Sequence, residues 1–132
     1  MQETGSKKQA ARGKGLVAQG WGRWALVVLW MAVIFVFSAQ PSTELPNYGV
    51  WDFVVKKGAH VTEYAILGWL IQRARGARHA WWQSWLMAVA YAATDEFHQS
   101  FVPGRTLRLT DVMIDSVGAA MGTAIAIWRG PA

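Results

Sequence analysis

Four apolar blocks, separated by short polar or proline- and glycine-containing breaks, organise the chain. The first, Trp24 to Phe37, holds no charged residue and is apolar on every face, so it is a helix with no side for water. It falls short of the ~20 residues that usually cross a bilayer. Ser38 and Ala39 extend it, and Arg23 can snorkel at its other end. The second block runs from about Phe53 to Ile71, interrupted by Lys56, Lys57, His60 and Glu63. The third runs from Ala80 to about His98, and the fourth from Asp111 to Trp128, carrying Asp111 and Asp115. Pro41 and Pro46 stop the first helix and predict an extended loop over 39–52.

The pattern predicts an all-α membrane protein, a bundle of four short transmembrane helices spanning residues 21–132. Residues 1–20, basic and interrupted by Gly5, Gly13, Gly15 and Gly20, are expected to be an arm disordered in water. Two other readings fit parts of the pattern. Arg23 before an apolar core, with Ser38-Ala39-Gln40 after it, resembles a cleavable signal peptide. Four amphipathic blocks also suit a soluble helical bundle. The tryptophans favour the membrane: Trp21, Trp24, Trp69, Trp81, Trp82, Trp85 and Trp128 lie near block ends, where an interfacial belt belongs.

Charge adds orientation. The net charge of +5 would ordinarily raise nucleic-acid binding. Here the basic residues flank apolar runs, which suits anionic lipid instead. The N-terminal arm is basic, the 73–79 connection carries Arg73, Arg75, Arg78 and His79 with no acid, and Arg129 lies near the end. The alternate connections hold Glu44, Asp52, Asp95 and Glu96, partly offset by Lys56, Lys57, Arg105 and Arg108. The positive-inside rule then puts both termini in the cytoplasm. With that topology, Lys57, His60, Glu63 and Tyr64 fall at the same outer depth as Asp95, Glu96, His98, Gln99, Arg105, Asp111 and Asp115.

Helical spacing groups these residues further. Lys56, His60 and Glu63 are related by i+4 and i+3, as are Lys57, His60 and Tyr64. Asp95 has His98 at i+3 and Gln99 at i+4. Asp111 and Asp115 share a stripe with Gly118, Ala119 and Gly122, a GxxxG pattern that permits close helix contact. An intramembrane charge facing lipid is costly, so these groups are expected to face one another or a wet cavity. The chain has no cysteine, which excludes disulfides, thiolate nucleophiles and cysteine-held metals. HExxH, P-loop and GxSxG motifs are absent as well.

With these residues in view, the chain resembles the VanZ-like family. Phe37-Ser-Ala-Gln-Pro41 is similar to the family's Ser-Ser-Gln-Pro element, with Ala39 where serine is more usual. Lys57-Gly-Ala-His60-Val-Thr-Glu63-Tyr64 resembles its Lys-x-x-His-x-x-Glu-Tyr/Phe element. Thr94-Asp-Glu-Phe-His-Gln99, Phe101-Val-Pro-Gly-Arg105 and Asp111-x-x-x-Asp115-x-x-Gly118 complete the pattern over roughly residues 24–128. The resemblance implies a bacterial cytoplasmic-membrane protein. The family's founding member is associated with resistance to glycopeptide antibiotics such as teicoplanin. The resemblance supplies no reaction.

Three functional classes remain open. In the first, the cluster binds an anionic lipid headgroup or a lipid-linked envelope intermediate. Lys57, His60, His98 and Arg105 would meet phosphate, with Tyr64, Glu96, Gln99, Asp111 and Asp115 completing the site. Pro103-Gly104 predicts a type II turn presenting Arg105. In the second, the protein is a membrane-embedded hydrolase or transferase. His60, Glu63, Asp95 and His98 would be its acid/base residues or a candidate Zn²⁺ or Mn²⁺ ligand set. In the third, the chain is a non-catalytic assembly or transport protein, for which a homo-oligomer would supply more walls.

Overall fold

The computed structural model describes residues 2–40, 49–76 and 79–130. They form four helices: α1 (Gln2–Ser38), α2 (Val50–Arg75), α3 (Trp81–Gln99) and α4 (Leu109–Trp128). The helix boundaries agree with the four apolar blocks to within a few residues, except at two starts. Helix α2 begins early enough to include Asp52, and α1 runs through the arm. Pro41, Pro46, Glu44 and Arg78, and most of the loop expected over 39–52, lie outside the described residues.

The arm expected to be disordered in water is thus the first half of α1, with residues 3–19 all exposed. No proline lies before position 41. The glycines each cost a helix only ~1 kcal/mol relative to alanine. The backbone ladder therefore continues where side chains supply no packing.

Contacts between helices fix an up-down-up-down order. Helix α1 lies antiparallel to α2, with Trp30 Nε1 donating to the Glu63 carbonyl (2.9 Å) and Arg23 Nη1 to the Arg73 carbonyl (3.3 Å). Helix α3 lies antiparallel to α4, with Trp85 Nε1 donating to the Ser116 carbonyl (2.9 Å). Tyr91 Oη donates to the Met31 carbonyl (2.6 Å), joining α3 to α1. Trp30 and Trp85 therefore belong to helix seams. Trp21, Trp51 and Trp128 are strongly exposed.

The largest interface is between α2 and α4, and it is a contact of backbones. A Cβ added at Gly118 would overlap the Val61 carbonyl, one at Gly122 the Ala65 carbonyl, and one at Gly68 the Ala119 carbonyl. The GxxxG stripe does what its small residues allow. The core is correspondingly small and polar: Ala88, Ala92, Ala119, Ser84 and Thr123 are buried, with Tyr64, Leu67 and Ile34 among the few large side chains. Large apolar residues point outward instead, including Leu29, Val36, Val55, Met87, Val117, Met121 and Ile125.

Helices α1 and α4 are long and apolar enough to cross a membrane. Helices α2 and α3 fall below that measure because their ionisable residues, directed largely inward, lower the average. At 19 and 20 residues, α3 and α4 are about 30 Å long, which matches a hydrocarbon core of similar thickness.

At one end of the bundle, arginines close the helices. Arg73 Nη1 donates to the Gly130 carbonyl beyond α4 (3.1 Å). Arg75 donates to the Ala80 carbonyl, Ser84 Oγ and the Gln83 side chain. These bonds tie the end of α2 to the residue after α4 and to the start of α3.

Gly122→Leu should lower the melting temperature of the purified protein in detergent by many degrees. Overpacking alone costs about 1–3 kcal/mol, and here the obstacle is backbone. Val117→Leu, on the exposed face of the same helix, should melt within a degree or two of wild type.

Candidate functional site

Because α2 and α4 touch along their backbones and run parallel, their polar residues meet in register. Lys57 pairs with Asp111. One turn further in, His60 Nδ1 lies 3.5 Å from Asp115 Oδ1 and 4.0 Å from Glu63 Oε2. Asp115 is buried, whereas His60, Glu63, Lys57 and Asp111 are half-buried. The imidazole is thus held between two carboxylates, one behind it and one beside it.

A second polar centre lies on α3. Asp95 Oδ2 accepts hydrogen bonds from Ser38 Oγ (2.7 Å), Tyr64 Oη (3.1 Å) and Gln99 Nε2 (3.3 Å). Ser38, Tyr64, Asp95 and Gln99 are all buried, so one carboxylate oxygen joins α1, α2 and α3. The other, Oδ1, is buried with no partner among the described residues. Three donors on one buried oxygen make Asp95 a junction of the bundle.

Glu96 has a different task. Its Oε1 accepts the backbone N–H of Arg108 at 2.7 Å, and Arg108 is the residue that caps the start of α4. The intervening connection turns sharply at Val102–Arg105. The Arg105 N–H donates to the Val102 carbonyl (3.1 Å), and Gly104 has φ +79°. That is the type II turn expected from Pro103-Gly104, with glycine in the left-handed position. Glu96 and this turn together position Arg105 and Arg108.

These elements enclose a cleft of about 770 Å³ at the end of the bundle opposite the arginine-closed one. Lys57, His60, Glu63, Gln99, Arg105 and Asp111 line it, as the sequence leads one to expect. Tyr64, Asp95, Glu96 and Asp115 do not; they stand behind the wall and hold it. His98 is also absent from the wall, and its ring stacks on Phe35 with centroids 4.4 Å apart.

The four-ligand metal set expected from His60, Glu63, Asp95 and His98 is therefore not assembled. His60 turns toward Asp115 with Glu63 beside it, Asp95 toward Ser38 and Tyr64, and His98 toward Phe35. Among the described residues no group of three or more His, Asp or Glu side chains is arranged to hold a metal ion. Helical spacing put each pair on a common face but carried no information on how the two faces are rotated toward each other.

The cleft also contains residues that sequence reasoning passed over. Asp52 and Lys56 form an i,i+4 ion pair on α2 (2.7 Å), and that spacing is readable in the chain. Ser38 forms part of the lining as well, although its position at the end of the first apolar block suggested only a helix terminus. Arg108 lies on the rim. Its only sequence signal is its place three residues after Arg105.

A helical bundle with small residues at its seams, a polar layer shared by all four helices and a charged cleft at one end defines the class. The chain matches the VanZ/LLP1 family over residues 23–130 and belongs to it. No curated protein and no solved structure matches the chain. The arm before residue 23 lies outside the family match.

Ser38→Ala and Tyr64→Phe should each lower stability by about 1–3 kcal/mol, the cost of leaving a buried polar group short of a partner. The double variant should lose more than the sum, because it strips a buried carboxylate of two of its three donors. Thermal or chemical unfolding in detergent measures both effects, with exposed Thr94→Ala as the unaffected control.

Proposed function

We propose that the protein is a bacterial inner-membrane protein of four spans, both termini cytoplasmic, that holds a phosphate-bearing headgroup in its outer cleft. The headgroup would belong to an anionic lipid or a lipid-linked envelope intermediate. One observation carries this reading: Arg105 and Arg108 border the cleft with no carboxylate within ion-pair distance among the described residues. The two lysines beside them are already neutralised, Lys56 by Asp52 and Lys57 by Asp111. Guanidinium groups are suited to bidentate contact with phosphate.

The membrane reading is supported by the distribution of side chains. A soluble bundle would bury its large apolar residues, yet here they form the outer surface. Such an extended apolar exterior requires a covering. The buried small residues and interhelical hydrogen bonds are those by which helices associate in lipid, where apolar side chains gain nothing by leaving the surface. The basic end of the bundle would then be cytoplasmic and the cleft would open at the outer leaflet.

The His60–Asp115 pair supports a second reading, hydrolysis or transfer at the bound headgroup. A buried carboxylate orients an imidazole at the cleft wall, the arrangement a general base requires. Turnover of a lipid phosphoester by wild-type protein, lost in Asp115→Asn with binding retained, would establish it.

Two outcomes test the main reading. A reporter active only outside the cytoplasm should work when fused at Pro103 and fail at Gly76 and at the C-terminus. The reverse pattern would place the cleft on the cytoplasmic side. In detergent, Arg105→Ala should weaken binding of a short-chain phosphatidylglycerol by about tenfold, or about 1.4 kcal/mol, measured by titration calorimetry with melting temperature unchanged. Glycopeptide tolerance and envelope integrity are the cellular phenotypes to compare.

A further inference from the structure

Among the described cleft residues the fixed charges do not cancel completely, and what remains has both signs. Once the Lys56–Asp52 and Lys57–Asp111 pairs are set aside, two guanidinium groups remain, Arg105 and Arg108. One carboxylate also remains, Glu63. Its nearest charged partner among the described residues is His60 Nδ1 at 4.0 Å, the limit of an ion pair and beyond a hydrogen bond. No ion pair joins Glu63 to Arg105 among the described residues. A half-buried carboxylate on the wall of an anion-binding cleft would repel a purely anionic ligand, because unfavourable contacts discriminate as strongly as favourable ones.

Resting on the phosphate contact of the headgroup reading above and replacing its anionic lipid, we propose that the cleft selects a zwitterionic headgroup, a phosphate that also carries a primary ammonium. Phosphate meets Arg105 and Arg108, and the ammonium donates to Glu63. Lys57 does not compete for the ammonium's place, since Asp111 holds it, and His60 stands between Asp115 at 3.5 Å and Glu63 at 4.0 Å. Glu63 is then the specificity-determining residue and Arg105 the affinity-determining one. A primary ammonium suits the site better than a quaternary one, because only the former has N–H groups to give a carboxylate.

The test is calorimetric titration of the full chain in detergent with three short-chain lipids that differ only in headgroup. Phosphatidylethanolamine should bind about tenfold more tightly than either phosphatidylcholine or phosphatidylglycerol. Soluble phosphoethanolamine should show the same order against phosphocholine. Its affinity relative to the lipid tells whether the acyl chains contribute. Glu63→Gln should bring phosphatidylethanolamine down to the level of the other two and leave phosphatidylglycerol unchanged or tighter, whereas Arg105→Ala should weaken all three. The comparison of ligands on wild-type protein needs no variant, so a poorly folding Glu63→Gln leaves the outcome decided. Equal or preferential binding of phosphatidylglycerol would overturn the zwitterion proposal and leave the headgroup reading intact. Binding of none of them, or binding indifferent to Arg105→Ala, would overturn both.

Discussion

The whole arrangement depends on how closely α2 and α4 approach. At Gly118, Gly122 and Gly68 there is no room for a Cβ between one helix and the carbonyls of the other. That contact gains dispersion energy along two backbones. It also fixes the register, because a glycine must meet each tight point. With the register set, Asp111 falls opposite Lys57 and Asp115 opposite His60. A slip of one turn would separate both pairs at once and drive a Cβ into a carbonyl at the tight points. Packing at one end of the interface therefore dictates electrostatics at the other.

The buried charges are held in two ways. Along the α2–α4 seam they form opposed pairs. Around Asp95 a single carboxylate collects donors from three helices. A pair fixes two helices relative to each other, whereas a shared acceptor fixes three. This complements the weak direct contact between α1 and α3, whose joining bonds include Tyr91 to the Met31 carbonyl and Ser38 to Asp95. With so few large buried side chains, directional bonds rather than volume specify where α1 sits.

What the chain disclosed depended on the range of the information needed. Apolar runs and proline positions are local, so the four helices could be read from the sequence, and so could the turn at Pro103-Gly104. The glycine stripe named the close interface because its spacing repeats on one helix face. The inferred shared depth of the ionisable residues brought Lys57, His60, Glu63, Arg105 and Asp111 to one cleft. The rotation of helices about their own axes is not local. It sent Asp95 to Ser38 and Tyr64, and His98 to Phe35, instead of to a common metal. The helical arm shows the same limit in reverse, since composition speaks of solvation and not of which backbone state an unpacked segment takes.

The arginines separate scaffold from site. At one end Arg23, Arg73 and Arg75 donate to backbone carbonyls at or next to helix ends, at Arg73, Gly130 and Ala80 respectively. Those donors are committed to closing helix ends, and removing one would expose a carbonyl rather than empty a pocket. At the other end, Glu96 takes the backbone N–H of Arg108, and the glycine turn takes that of Arg105. The fold thus spends backbone groups and a buried carboxylate on holding two arginines in place while leaving their guanidinium groups without an ion pair among the described residues. The acids divide as well: Asp52 and Asp111 each face a lysine, whereas Asp115 and Glu63 flank the one imidazole of His60, at 3.5 and 4.0 Å.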